Sequence, residues 1–110
     1  MNEFYEKQKA TLLESFTNLV HCEGGDGWGL IVVTKHFSIN DLADYYNELE
    51  CVKNYEYQRE NRGDGSVCFS DHEECIAFIS YKQYIEICTR PVFQAQGVSE
   101  FNFWDYILIL

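Results

Sequence analysis

Apolar residues recur over the first twenty or so positions at the spacing of a helix. Phe4, Tyr5, Leu12, Phe16 and Leu19 fall on one side at a period of about 3.6, and Glu3 with Lys7 forms an i,i+4 pair on the other. A helix is predicted over residues 2–21. The glycines of EGGDGWG then stop it and turn the chain. LIVVTK, residues 30–35, is a β-branched run without polar alternation and reads as a buried strand. Ser38 opens a second helix, and Asp41 three positions on completes the capping pattern S-x-x-D. Its inward stripe is Ile39, Leu42, Tyr46 and Leu49. At about 100° per residue Asp41, Asp44 and Glu48 stand opposite, with Tyr45 at their edge.

From Tyr55 onward β-formers dominate. YEYQRE and SVCFS flank the glycine-rich NRGDG, a connection that suits a hairpin. CIAFIS and YIEICTR continue as strands. A single strand from Cys75 to Arg90 would run about 50 Å, too long for a small domain, so a turn is placed at Tyr81 to Gln83. A helix starting at Asp71 is the alternative, because Asp71 and Glu74 also resemble a cap. Pro91 closes this region. The tail FNFWDYILIL, between Phe101 and Leu110, alternates like a strand and either joins the sheet or packs on a second copy. The order helix, strand, helix and then several strands predicts an α+β fold. Two helices pack on a mainly antiparallel sheet of about four to six strands, in a single domain over residues 1–110.

Charge changes the picture more than composition does. Hydrophobic residues make up 46% of the chain, enough for a core, yet 18 acidic residues face 8 basic ones and leave a net charge of −10. Such a chain repels phosphate backbones and anionic membranes, which excludes direct nucleic-acid binding, and it is drawn to basic protein surfaces. The N-terminal residues lack the basic start and apolar run of a signal peptide. The five cysteines, Cys22, Cys51, Cys68, Cys75 and Cys88, are odd in number and scattered, which suits buried thiols in a reducing bacterial cytoplasm better than a secreted disulfide framework.

The densest cluster of chemistry is CFSDHEEC, where Cys68, His72 and Cys75 stand among Asp71, Glu73 and Glu74. Six residues separate the cysteines and no second pair follows, so the spacing of structural zinc is missing. A nucleophilic cysteine wants a positive setting, and this one is acidic. The stretch is read as a hairpin in which Phe69 pairs with Glu74, Cys68 faces Cys75 and His72 lies at the tip. Paired carboxylates at Asp41 with Asp44, and at Glu73 with Glu74, could serve acid–base chemistry or magnesium only inside a pocket, and a solvated face is the simpler reading. GGDGWG follows a helix and precedes a strand, the reverse of a phosphate loop. At KHFSIND a strand does lead into a helix, but Asp41 sits in the first turn and would repel phosphate. Arg62, Gly63 and Asp64 are most simply a turn. His21 suits a helix C-terminus, and His36 has no visible catalytic companion.

These features predict a non-catalytic, cofactor-free protein that blocks a basic, nucleic-acid-binding surface of a nuclease or similar enzyme. Immunity proteins against toxin nucleases and phage-encoded inhibitors of restriction or CRISPR systems share this profile of size and acidity, a likeness of type and not of sequence. The expected contact residues are Asp41, Asp44, Tyr45, Glu48, Asp71, Glu73 and Glu74, standing in for phosphates. Two alternatives stay open: a homodimer that pairs through the tail bounded by Phe101 and Leu110, and a small metal- or thiol-dependent enzyme built on Cys68, His72 and Cys75.

Overall fold

The computed structural model describes residues 2–23, 28–53, 57–71, 74–89 and 106–110. In chain order these form α1 (Asn2–Glu23), β1 (Trp28–Thr34), α2 (Ile39–Glu48), the single turn α3 (Glu50–Lys53), β2 (Gln58–Asn61), β3 (Val67–Ser70), β4 (Glu74–Ser80), α4 (Tyr81–Cys88) and β5 (Tyr106–Ile109). The strands make one five-stranded sheet in the order β2-β3-β4-β1-β5.

The architecture is roughly α+β, but the sheet is mixed, which corrects the expectation of a mainly antiparallel one. β1 runs parallel to both neighbours, Trp28 opposite Glu74 on β4 and Leu30 opposite Tyr106 on β5, while β2–β3 and β3–β4 are antiparallel. The physical reason is burial. All seven residues of β1 are buried, so the strand is covered on both faces, and an unbroken apolar run is what a parallel strand under helices on two sides requires. One face carries Trp28, Leu30 and Val32 beneath Leu12, Phe16 and Leu19 of α1 and Leu42, Ala43 and Tyr46 of α2. The opposite face carries Ile31, Val33 and Ile79 beneath Tyr84 of α4. After β1 the chain thus packs α2 on one face, and after β4 it packs α4 on the other.

The helix count is the second correction: four helical segments occur among the described residues, where two were expected. α4 occupies the place assigned to a turn at Tyr81 to Gln83 followed by the strand YIEICTR. The Ser80 hydroxyl accepts from the Gln83 N–H at 3.1 Å and the Gln83 side chain accepts from the Ser80 N–H at 3.1 Å. That reciprocal cap satisfies two orphan donors and outweighs the strand propensity of Tyr84, Ile85 and Ile87.

Local turn chemistry explains the rest. Ser38 caps α2, its hydroxyl accepting from the Asp41 N–H at 3.1 Å. The β2–β3 hairpin closes with Arg62 N–H donating to Ser66 C=O at 2.8 Å, and Gly65 there adopts a φ of 91°, a left-handed conformation that favours glycine. No helix starts at Asp71. Its carboxylate accepts instead from the Glu74 N–H at 2.9 Å, across the connection from β3 to β4. The β3–β4 register also differs from expectation: Phe69 pairs with Ile76, and Cys68 with Ala77. The shorter connection between Asp71 and Glu74 is the commoner hairpin length. The tail joins the sheet as β5, parallel to β1. Residues 24–27 of the glycine-rich stop, His72, Glu73, Pro91 and residues 101–105 lie outside the described residues.

Tyr46 is the hub of the main core. It is fully buried, and its ring meets Phe69 at 4.8 Å, Phe16 at 5.3 Å and Phe78 at 5.6 Å between centroids. Aromatic pairs of this kind contribute about 0.5–1.5 kcal/mol each beyond simple burial, so α2 is fixed to the sheet and its outer face is held in place.

Candidate functional site

The buried residues Leu42, Ala43 and Tyr46 turn α2 so that Asp41, Asp44 and Glu48 point outward, and all three are exposed. Glu50 on α3 extends the same run of carboxylates. Over residues 38–53 four acids, Asp41, Asp44, Glu48 and Glu50, meet a single lysine, Lys53. The face is not purely negative, however. Arg59 on β2 reaches Asp44 at 2.5 Å, and Lys53 lies 3.8 Å from both Glu48 and Glu50. Exposed pairs of this kind are worth about 0–1 kcal/mol, so a cation from a partner can displace Lys53 at little cost. Tyr45 is half-buried, packs against the main core, and has the Lys9 ammonium 5.3 Å from its ring centre.

The second acidic stretch is arranged differently. The Asp71 carboxylate is engaged in the turn, and Glu74, only 6% exposed, points inward, where one carboxylate oxygen accepts from the Tyr57 hydroxyl at 2.8 Å. Of the expected contact residues, then, Asp41, Asp44, Tyr45 and Glu48 share one helix, whereas Asp71 and Glu74 serve the β3–β4 hairpin. Glu73 lies outside the described residues. The inward turn of Glu74 was available in the alternation: Glu74, Ile76 and Phe78 share one face of β4, the face that carries the core. Arg59 and Tyr57 were not singled out by spacing, because each meets its acid only through the sheet.

Cys68 and Cys75 project from the same sheet face, but Cys68 lies opposite Ala77, which leaves the two thiols diagonal to each other and not directly paired. Burial pushes the Cys68 thiol above its ordinary value and the neighbouring Cys75 adds to this; Cys75 is raised by burial and then by Asp71. Both shifts favour the thiol over the thiolate at neutral pH, the less reactive state for a nucleophile. Among the described residues no group of three or more His, Cys, Asp or Glu could hold a metal ion. His36 is exposed and packs edge-on against Phe4 at 5.1 Å.

Comparison with known proteins gives no match: no family model, no curated protein and no solved structure is similar to this chain. Among the described residues no helix is long and apolar enough to cross a membrane. What the arrangement offers chemically is a rigid row of exposed carboxylates, spanning about 10 Å from Asp41 to Glu48 at the helical rise per residue. Its far side is locked into an aromatic core.

Proposed function

We propose that the protein is a non-catalytic, acidic binding protein of the cytoplasm that covers a basic, nucleic-acid-binding surface of an enzyme, a nuclease being the fitting target. The observation that carries this reading is the exposure of Asp41, Asp44 and Glu48 together on the outer face of α2. Carboxylates at this spacing present oxygens to lysine and arginine over a length comparable with a few phosphates. A net charge of −10 adds long-range attraction to a cationic cleft and speeds encounter. Asp41, Glu48 and Glu50 are the primary contacts. Asp44 shares its charge with Arg59, and Tyr45 supplies an aromatic rim. Asp71 and Glu74 are assigned to the hairpin and drop out of the contact set.

The test is charge reversal in the full chain: Asp41→Lys, Asp44→Lys and Glu48→Lys combined, with circular dichroism to verify the fold. Wild-type protein used as bait in a native lysate is expected to retain basic nucleic-acid enzymes that salt elutes, and the triple variant to lose them. Equal retention by the variant overturns the reading.

A further inference from the structure

β5 forms one edge of the sheet, and its hydrogen bonds alternate. Leu110 N–H donates to Val33 C=O at 2.8 Å, and Leu110 C=O accepts from Lys35 N–H at 2.6 Å. In a parallel ladder every second residue of the edge strand makes both bonds to its neighbour, so Tyr106, Leu108 and Leu110 are tied to β1. Ile107 and Ile109 therefore turn their N–H and C=O groups away from the sheet. Among the described residues nothing pairs with those four groups, and the two side chains are 44% and 45% exposed. Beside this edge lies a groove of about 360 Å³ between α1 and β5, lined by Ser15, Asn18 and Leu19 of α1, by Tyr106, Ile107 and Leu108 of β5, and by Leu30 beneath. None of these residues carries a charge.

We propose that this edge takes up an extended segment of another protein as a sixth strand, apolar at alternate positions and flanked by lysine or arginine. Outward N–H and C=O groups at every second residue are matched in spacing by another strand's backbone, which replaces the water that otherwise solvates them. Alternation places one set of the incoming side chains in the groove and the other against Ile107 and Ile109. Charge selects the occupant. A second copy of this chain would bring another −10, whereas a neutral core with basic flanks is drawn in. The inference is independent of the α2 reading, because the α2 charge reversals leave β5 untouched and each surface can fail alone.

The test uses the full chain and three short synthetic peptides. One alternates valine with threonine between lysine pairs, its twin carries glutamate pairs, and the third is the lysine peptide N-methylated at alternate residues. The lysine peptide is expected to bind and to shift the amide resonances of Ile107 and Ile109. The glutamate twin at low salt and the N-methylated peptide are each expected to bind at least about tenfold more weakly, the change that one lost charge-assisted or backbone hydrogen bond produces. Ile109→Pro removes an outward donor at an edge position that tolerates proline, and the same loss is expected there. Absence of binding, equal binding by the N-methylated peptide, or equal binding by the glutamate twin overturns the proposal. So does sedimentation of a dimer whose β5 amides are protected and whose edge excludes the peptide.

Discussion

The sheet has two edges of opposite character. β2 exposes all four residues, Gln58, Arg59, Glu60 and Asn61, all of them polar or charged, with Arg59 bound to Asp44. β5 exposes Tyr106, Ile107 and Ile109, with no charged side chain between Tyr106 and Ile109. Charged residues on an edge strand are a standard guard against strand addition, and only β2 has them. Among the described residues, one edge of the sheet carries charged guards and the other carries apolar side chains.

Mutations that loosen each edge in turn sharpen the contrast. The largest effect is expected for Phe69→Ala. Phe69 is wholly buried against Tyr46 and Phe78 and anchors the β2 side, so its loss is expected to cost about 3–5 kcal/mol in urea unfolding. Leu110→Ala removes the buried anchor of the β5 side and is expected to cost about 2–3 kcal/mol. Hydrogen exchange is its sharper readout: the Lys35 amide, bonded to Leu110 C=O, is expected to lose protection while β2–β3 amides keep theirs. Tyr57→Phe deprives the buried Glu74 carboxylate of its phenol donor just before β2 and is expected to cost about 1–3 kcal/mol by the same urea assay. Asp44→Asn, which releases Arg59 on β2 itself, is expected to cost less than about 1 kcal/mol, and 1 M salt should shrink even that.

The smallest effect is one of pH. The Ser66 hydroxyl, then the Ser66 N–H, hold the Asp64 carboxyl below its ordinary 3.8, with Arg62 assisting. A depressed folded-state value stabilises the turn above pH 3.8 and is lost as pH falls through the lower folded value. On acidification, amides of the β2–β3 turn are therefore expected to gain exchange before those of β5; simultaneous loss would count against the assignment.

Much of this arrangement is legible in the sequence, wherever one local signal stands unopposed. The stripe of Leu12, Phe16 and Leu19, the Ser38 cap and the glycine turn of the hairpin each rest on neighbours within a few positions. Competing local signals mislead. Tyr84, Ile85 and Ile87 favour a strand, yet the Ser80–Gln83 capping box decides for helix, and that S-x-x-Q was present in the sequence. The parallel setting of β1 depends on partners far along the chain, which no window over LIVVTK contains. The acidic row on α2 followed from helical periodicity. The inward turn of Glu74 and the capture of Asp44 by Arg59 followed from sheet register, which spacing alone does not supply.

The central position of β1 also governs how the molecule assembles. Trp28 must find Glu74 and Leu30 must find Tyr106, so neither flank of the middle strand can zip up from adjacent chain. The β2–β3 hairpin and the capped helices can form early, on microsecond timescales, but they gain a shared core only after those distant segments meet. Until then the aliphatic middle of β1 is uncovered, and the interval before closure is when the nascent protein is most prone to aggregate.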